Sequence, residues 1–183
     1  MAILSDGSIK RYIESGRIKV EPQPLMEQFQ PCSLDLRLDN SFLSFEGVGC
    51  IDVRERLDYS GVGYFSVDEP LVLEPGDFVL CQTVECVSLP CDVLGRVEGR
   101  SSVGRLGVTV HVTAGFIDPG FVGNITLEVC NLNCVPVVLY PGVRVCQLCF
   151  EELDCVCECG YDGKYQGQRV PTPSSIFVDV DSE

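Results

Sequence analysis

Residues 71–84 read Leu-Val-Leu-Glu-Pro-Gly-Asp-Phe-Val-Leu-Cys-Gln-Thr-Val, which predicts a strand, a tight turn and a second strand. Proline and glycine favour the turn because proline fixes its own φ and glycine tolerates a left-handed conformation. Further strands are predicted at 33–38, 107–112, 124–130 and 137–150. Many short strands separated by turns indicate a mainly β fold of the distorted β-barrel or jelly-roll type.

A single short helix is predicted near the start of the chain. Ser5 is a suitable N-cap, Ile9, Tyr12 and Ile13 then fall on one helical face, and Gly16 suits the C-terminal end. We therefore expect a mainly β protein with one short N-terminal helix.

Length and composition limit the possible functions. The chain has 183 residues, of which 45% are hydrophobic and 22% charged, so we expect one folded domain over residues 1–183. The formal net charge of −14 argues against electrostatic binding of nucleic acid. Because the sequence contains neither a long apolar run nor a secretory signal, we expect a soluble, cytoplasmic protein that does not bind membranes.

Twelve cysteines are an unusual number for a chain of this size. Several lie in apolar runs, where a cysteine behaves as a small buried hydrophobe, and without a secretory signal a disulfide framework is disfavoured. Cys155, Cys157 and Cys159 alternate closely enough to hold a soft metal, although their spacing does not match the paired ligands of structural zinc sites. A metal-binding cysteine segment is therefore a minor alternative, and the sequence does not reveal what the twelve cysteines do.

The only histidine, His111, restricts the chemistry further. Zinc-dependent nucleobase deaminases use a His-x-Glu motif and a Pro-Cys-x-x-Cys pair, whereas His111 is followed by Val-Thr and Cys146-Gln-Leu-Cys149 follows a valine. A His-Glu-x-x-His zinc site is excluded, and a Ser-His-Asp triad would depend on His111 alone. Within Val-Thr-Val-His-Val, the simplest expectation is a strand residue whose ring has a hydrogen-bond partner.

Residues 99–107, Gly-Arg-Ser-Ser-Val-Gly-Arg-Leu-Gly, are a candidate binding loop. Small residues let the backbone approach a ligand, and backbone N–H groups can surround phosphate oxygens. Arg100 and Arg105 add positive charge in an acidic protein, and the serine hydroxyls can donate or accept hydrogen bonds. Taken alone, such a stretch is as often an ordinary turn.

The strand at 125–131, Ile-Thr-Leu-Glu-Val-Cys-Asn, adds a carboxylate. Its alternation puts the aliphatic residues on one face and Thr126, Glu128 and Cys130 on the other. Glu128 is either a solvated strand residue or a catalytic carboxylate in apolar surroundings.

Together these stretches resemble the dCTP deaminase family of the trimeric dUTPase superfamily. The likeness rests on the residues quoted at 99–107, on His-x-Thr-Ala-Gly-x-Ile-Asp-Pro-Gly-Phe-x-Gly at 111–123, on Ile-Thr-Leu-Glu at 125–128 and on Gly-Lys-Tyr-Gln-Gly-Gln-Arg at 163–169. It implies a distorted β-barrel homotrimer with active sites at subunit interfaces. Members bind a deoxynucleoside triphosphate with Mg²⁺ and deaminate cytosine without zinc.

The resemblance also implies catalytic roles. Glu128 would be the general base that takes a proton from the water attacking C4 of cytosine and later delivers one to the departing ammonia. Ser101 and Arg105 would stabilise the developing charge and orient the water and Glu128. The backbone carbonyl of Ala114 would help to hold that water.

Further residues would bind the substrate. Asp118 would accept a hydrogen bond from the 3′-hydroxyl of the deoxyribose, and Phe121 would pack on the sugar. Residues 163–183 would form a lid or flexible tail, and Mg²⁺ would bind through the substrate phosphates rather than through dedicated side chains. The remaining substrate-binding residues implied are Arg100, Ser102, Val112, Thr126, Lys164, Tyr165 and Gln168, with Arg169 as a further phosphate ligand.

Members of the family differ in whether they release dUTP or split it into dUMP and diphosphate in the same site. Gly115 after Ala114, Gly104 in Ser-Val-Gly-Arg and the ending Lys-Tyr-Gln-Gly-Gln-Arg-x-Pro-Thr-Pro are similar to the two-step members, in which Asp118 also positions or activates the water for the α-phosphorus. We therefore predict deamination of dCTP followed by hydrolysis of dUTP, supplying dUMP for thymidylate synthesis. The alternatives are a one-step deaminase, a plain dUTPase and a non-catalytic nucleotide-binding trimer.

Overall fold

The computed structural model describes residues 2–55, 64–66 and 70–180, and this part of the chain is mainly β. The helices are α1 (Asp6–Glu14), α2 (Ser101–Gly104) and α3 (Phe177–Val180), and Met26–Gln28 form a 3₁₀ turn. The strands are β1 (Ala2–Ile3), β2 (Lys19–Glu21), β3 (Phe29–Gln30), β4 (Ser33–Arg37), β5 (Ser41–Ser44), β6 (Tyr64–Ser66), β7 (Leu71–Leu73), β8 (Phe78–Ser88), β9 (Val93–Gly99), β10 (Val108–Thr109), β11 (Phe116–Ile117), β12 (Val122–Asn131), β13 (Val137–Leu139) and β14 (Arg144–Glu152).

The strands form three antiparallel sheets. One has the order β11-β9-β14-β4-β3, with β1 also paired to β14, and another has the order β10-β12-β8-β5-β6, with β2 also paired to β8. Strands β13 and β7 form a separate pair. A single hydrophobic cluster contains side chains from both large sheets, so these sheets share one core. The mainly β prediction is confirmed, but the described strands do not close into a barrel, because each large sheet ends in a strand without a second neighbour.

Helix α1 packs against this core beside β4. Ile9 is fully buried, and Tyr12 and Ile13 pack against the core cluster, as their spacing predicts. Gly16 has a φ of 72° and ends the helix. The capping prediction for Ser5 is wrong in one respect: its hydroxyl lies 3.5 Å from the Ser8 hydroxyl and makes no side-chain cap, although its carbonyl accepts from the first turn.

The predicted strand-turn-strand at 71–84 is present as β7, a turn and β8. The Asp77 N–H donates to the Glu74 carbonyl at 3.0 Å, and Gly76 has a φ of 90°. The two strands pair with different partners, because the turn carries the chain from the β13–β7 pair into the large sheet. Asn131, which is fully buried, joins the two sheets: its Nδ2 donates to the Leu73 carbonyl at 2.8 Å.

Strand β4 is buried on both faces. Asp35 lies in its centre with 1% exposure, and its Oδ2 is 3.1 Å from Nε of Arg100 and 3.3 Å from a terminal nitrogen of Arg144. Fully buried Glu85 forms an ion pair with Arg37 at 2.7 Å. These ion pairs explain why an alternating polar and apolar strand lies in the interior. In the described part of the chain, no helix is long and apolar enough to span a membrane.

Candidate active site

A cavity of about 530 Å³ lies between β12 and the segment that follows Gly160. Phe45, Phe78 and Leu80 form an apolar part of its wall. The predicted site residues that line it are Ala114, Asp118, Phe121, Thr126, Glu128, Tyr165 and Gln168.

Strand β12 directs Glu128 into this cavity. The predicted alternation is confirmed: the aliphatic residues at 125, 127 and 129 are buried, and the half-buried Thr126 and Glu128 line the cavity, to which Ile125 also contributes. Oε2 of Glu128 accepts a hydrogen bond from the Val112 backbone N–H at 2.7 Å. The backbone N–H of Glu128 donates to the Val110 carbonyl at 3.1 Å. The carboxylate is therefore oriented by its strand and by the neighbouring loop together.

A β-bulge sets the register of this strand. The pairing of β12 with β8 shifts between Asn124 and Thr126, where Ile125 lies opposite residues 83–85 of β8. The bulge leaves backbone groups without ladder partners, and side chains satisfy them: Nδ2 of Asn124 donates to the Thr83 carbonyl at 2.9 Å, and the Ile125 N–H donates to Oγ1 of Thr83 at 3.0 Å. These bonds fix the strand immediately before Thr126 and Glu128.

The loop after β10 forms another wall, and here a strand prediction is wrong. Strand β10 ends at Thr109, and His111 lies in the following loop, where its ring lines the cavity. Among the described residues Nδ1 of His111 is buried without a hydrogen-bond partner, so the expected satisfied strand histidine is also wrong. The strand ends because the loop turns back towards β9, where the Val97 N–H donates to the Gly115 carbonyl at 2.7 Å. A Cβ on Gly115 would lie 3.1 Å from the Val97 carbonyl oxygen, so this approach favours glycine.

Asp118 begins a Pro-Gly turn that contacts the C-terminal segment. The Phe121 N–H donates to the Asp118 carbonyl at 3.1 Å, and Gly120 has a φ of 87°. A Cβ on Gly120 would lie 2.9 Å from the Cα of Gly160, so the two segments touch through their backbones. The Tyr161 ring, 5.9 Å from that of Phe121 between centroids, extends the same wall of the cavity.

The segment after Gly160, which includes the predicted lid or flexible tail at 163–183, runs along β12 in the structure. The Asn124 N–H donates to the Gln168 carbonyl at 3.0 Å, and Nε2 of Gln168 donates to the Asn124 carbonyl at 2.8 Å. Farther along, the Thr172 N–H donates to Oγ1 of Thr126 at 3.3 Å. Four residues of the predicted lid or tail line the cavity: Tyr165, Gln168, Thr172 and Ser174. The lid role stays a prediction, and residues 181–183 lie outside the described residues.

Residues 99–107, the candidate binding loop, are partly helical. Ser101–Gly104 form the single helical turn α2, because the N–H groups of Val103 and Gly104 donate to the Arg100 carbonyl. Ser101, Ser102 and Arg105 are exposed, and none of them lines the cavity of their own chain. Arg100 is engaged with Asp35 and donates to the Arg144 carbonyl at 2.8 Å.

Lys164 and Val112 also lie outside the cavity lining. Nζ of Lys164 forms an ion pair with Asp179 in α3 and donates to the Ser175 carbonyl at 3.3 Å. Val112 contributes through its backbone N–H, which binds the Glu128 carboxylate. The phosphate-binding role of Lys164 stays a prediction.

Burial raises the pKa of Asp35 above its ordinary value of 3.8, and the neighbouring Arg100 and Arg144 lower it only in part. This carboxylate ties Arg100, the residue before α2, to the interior of the sheet.

The cavity contains residues that the sequence analysis did not assign to the site, among them His111, Tyr161 and Thr172. His111 carried a signal, because it is the only histidine and begins the 111–123 motif. Tyr161 and Thr172 come from the C-terminal segment, and their contribution depends on a long-range contact that no local pattern reports.

The sequence is similar to a known protein family and to named proteins over nearly its whole length. The family described as dCTP deaminase-like matches residues 3–153. A protein of Methanosphaera stadtmanae named "dCTP deaminase, dUMP-forming" is 48% identical over 99% of this chain and 97% of its own length. A protein of Dictyoglomus thermophilum with the same name is 47% identical over 97% of this chain and 96% of its own.

Solved structures give the same fold. The 2′-deoxycytidine 5′-triphosphate deaminase from Agrobacterium tumefaciens matches with a TM-score of 0.66 and 26% identity over 82% of this chain, which spans 48% of that protein. A mutant dUTPase of Staphylococcus bacteriophage 80alpha matches with a TM-score of 0.51 and 15% identity over 80% of this chain and 96% of its own, a likeness of fold alone. The full-length sequence identities and the family match lead to one conclusion: the chain belongs to the dCTP deaminase-like family.

Proposed function

We propose that this chain deaminates dCTP and hydrolyses the resulting dUTP in the same cavity, releasing ammonia, dUMP and diphosphate. The name "dCTP deaminase, dUMP-forming" of the relatives supports both steps over a one-step deaminase. The observation that carries the assignment to this cavity is the Glu128 carboxylate, held by the Val112 N–H in a wall that also contains Ala114 and Asp118.

In the deamination step, Glu128 acts as general base. It accepts a proton from a water held near the Ala114 carbonyl, and that water attacks C4 of cytosine to give a tetrahedral intermediate. Glu128 then delivers a proton to the amino nitrogen, the C–N bond breaks and ammonia leaves. Because Oε2 is already fixed by the Val112 N–H, the carboxylate needs little reorganisation during these transfers.

In the hydrolytic step, Asp118 positions a second water for in-line attack on the α-phosphorus. The bond between the α-phosphorus and its bridging oxygen breaks, and diphosphate leaves from dUMP. Asp118 suits this role because its turn holds it at the cavity wall beside Phe121. The retained dUTP needs only this second water in place, since the substrate is already bound.

We propose that a magnesium ion enters the cavity with the substrate and is held mainly by its phosphates. Mg²⁺ commonly binds substrate phosphates together with one or two carboxylates, and Asp118 is the lining carboxylate that the deamination step does not use. Within the described ranges, no group of three or more His, Cys, Asp or Glu side chains is arranged to hold a metal. When bound with the triphosphate, Mg²⁺ withdraws charge from the phosphate oxygens and orients the leaving group.

The active unit that we propose is a homotrimer. Ser101 and Arg105 are assigned to catalysis yet lie on the surface outside their own cavity, which favours their acting in the cavity of a neighbouring subunit. Next to them, Leu106 and Leu132 are 48% and 70% exposed. Neighbouring exposed leucines are typical of a surface that a partner covers.

Incubation with dCTP and Mg²⁺, followed by identification of all products, tests the proposal. We expect ammonia and dUMP to appear in equal amounts with diphosphate and without accumulation of dUTP. Accumulated dUTP would contradict the second step alone. Failure to release ammonia from dCTP, with turnover of added dUTP, would identify a plain dUTPase.

A further inference from the structure

Cys91 and Cys157, which the proposed reaction does not use, are neighbours close to Gly160, where the C-terminal segment begins. Cys91 lies in the turn between β8 and β9, and Cys157 lies in the segment after β14. The Cys157 N–H donates to the Cys91 carbonyl at 2.9 Å, and the Leu153 N–H donates to the Asp92 carbonyl at 2.9 Å. This backbone contact holds residues 91 and 157 against each other, and the two thiols are within hydrogen-bond reach of one another. A disulfide needs Cα atoms about 4.4–6.8 Å apart.

The side chains of Cys91 and Cys157 share one partly buried environment and contact each other. Both side chains are half-buried, and a Cβ on Gly160 would lie 3.0 Å from Sγ of Cys91. Burial raises the pKa of the Cys157 thiol, and the adjacent Cys91 sulfur raises it further through its charge and a hydrogen bond. The backbone contact and the hydrogen bond between the two thiols therefore place Cys157 to act as the second, resolving thiol.

We propose that Cys91 and Cys157 are an oxidative modification site, at which a peroxide converts the two thiols into a disulfide that ties the C-terminal segment to the β8–β9 turn. The Cys91 sulfur attacks a peroxide oxygen, the O–O bond breaks, and a sulfenic acid forms as the alcohol or water leaves with the thiol proton. The Cys157 sulfur then attacks the Cys91 sulfur, the S–O bond breaks, and water leaves with the Cys157 proton. The two thiols together lose two protons and two electrons, and the peroxide is reduced by those two electrons to water and an alcohol, or to two waters.

The other cysteines suit this reaction less well. Cys81 and Cys146 are fully buried, and burial raises the pKa of each thiol far above its ordinary range. Cys155 and Cys159 are exposed in the same segment as Cys157, and they are the competing partners for Cys91. The backbone hydrogen bond between residues 157 and 91 favours Cys157 over both.

The disulfide would act on the segment that covers the cavity. Cys157 is close in sequence to Tyr161, whose ring packs on Phe121 and lines the cavity. A covalent link between residues 91 and 157 closes a long loop and so removes conformational freedom from the unfolded chain. Because neither sulfur lines the cavity, we expect the oxidised protein to keep its deaminase activity.

The test uses the full-length protein, reduced first and then treated with hydrogen peroxide at a low molar ratio. We expect a Cys91–Cys157 disulfide by peptide mapping, a rise in Tm of about 5–10 °C, and reversal of both by dithiothreitol. Cys91→Ser and Cys157→Ser should each abolish the Tm rise. Cys155→Ser, a matched change two positions from Cys157, should leave it intact.

A cooperative thermal unfolding transition of each reduced serine variant, with a Tm near that of the reduced wild type, shows that the variant is folded, independently of its response to peroxide. A disulfide from Cys91 to Cys155 or Cys159, a disulfide between chains, or oxidation of single thiols without a Cys91–Cys157 bond would each overturn the proposal. These results do not depend on whether dUTP is hydrolysed, so they are separable from the test of the proposed function.

Discussion

The direction of the Glu128 side chain comes from its strand, and its restraint comes from a loop. The alternation of β12 turns it away from the buried aliphatic residues, and the Val112 N–H holds one carboxylate oxygen at 2.7 Å. The first contribution is local and follows from the sequence pattern. The restraint by the Val112 N–H depends on the loop that follows β10. The pattern at 107–112 wrongly predicts a strand there.

Replacing Glu128 by glutamine tests its role as base. An amide cannot accept the proton from the attacking water, so we expect ammonia release from dCTP to fall by about 10²–10⁴-fold. Binding of dCTP, measured by calorimetry, should persist because glutamine has nearly the same shape. The control is Glu98→Gln, at a half-exposed side chain on β9 outside the cavity, which should leave the rate unchanged. Normal deamination by the Glu128 variant would show that Glu128 is not the general base.

Asp35 gives a prediction about pH. Burial raises the pKa of Asp35 above 3.8 in spite of Arg100 and Arg144, so the folded chain holds this proton more tightly than the unfolded chain does. Its contribution to stability is therefore full below pH 3.8 and is lost as the pH rises through the folded pKa. Asp35→Asn has no such titration. We expect the unfolding free energy of the wild type, relative to this variant, to fall from acid to neutral pH in denaturant titrations. A difference that grows with pH would mean that the two arginines outweigh burial.

Among the elements, the Pro-Gly turns offer a matched pair of glycines. Gly120 and Gly76 have φ values of 87° and 90° in turns with the same hydrogen bond. A Cβ on Gly76 meets nothing within 4 Å, whereas a Cβ on Gly120 would lie 2.9 Å from backbone atoms of Gly160 and Tyr161.

Alanine at either glycine should cost about 1–2 kcal/mol of unfolding free energy, because of the left-handed backbone. Gly120→Ala should cost roughly 1–3 kcal/mol more, and it should raise the KM for dCTP by displacing the segment at Gly160 from the cavity. Gly76→Ala should leave the KM unchanged. Denaturant unfolding measures the cost in stability, and steady-state kinetics measures the KM. Equal KM values for both variants would show that the position of the C-terminal segment does not affect dCTP binding.

These elements also mark how far the sequence predicts the fold. Strands β4, β8, β12 and β14 and helix α1 follow from local periodicity and turn residues, and their existence is predicted correctly. The pairing of β7 with β13 rather than β8 is not predicted, because partner choice depends on the buried side chain of Asn131. The course of the C-terminal segment also escapes prediction, since Gln168 and Thr172 bind β12 across a long sequence separation.

For the molecule as a whole, a net charge of −14 opposes the approach of a triphosphate. At an ionic strength near that of a cell, remote charges are screened beyond about 8 Å, so nearby cationic groups determine binding. In a single chain Arg105 is exposed away from the cavity and Lys164 is paired with Asp179. The arrangement of subunits therefore decides whether positive charge reaches the phosphates.

The proposed trimer predicts a particle of about 60 kDa, three times the 20.0 kDa of one chain, in light scattering. A particle of about 20 kDa that deaminates dCTP would contradict it. The measurement should be made with and without dCTP, because a ligand bound between subunits strengthens their association.

Mixing two inactive variants tests whether subunits share sites. Arg105→Ala and Glu128→Gln should each be inactive alone. If Arg105 serves the cavity of a neighbour, trimers reassembled from an equal mixture contain some cavities with Glu128 from one chain and Arg105 from the next. With random cyclic assembly, about one quarter of the cavities are intact, so the mixture should recover about that fraction of wild-type ammonia release.

The control is a mixture of Glu128→Gln with the variant that carries both substitutions. These mixed trimers have no cavity with Glu128 and Arg105 both intact, so they should stay inactive. If the first mixture also stays inactive although mixed trimers form, Arg105 and Glu128 act within one chain, and the exposed position of α2 would need another explanation.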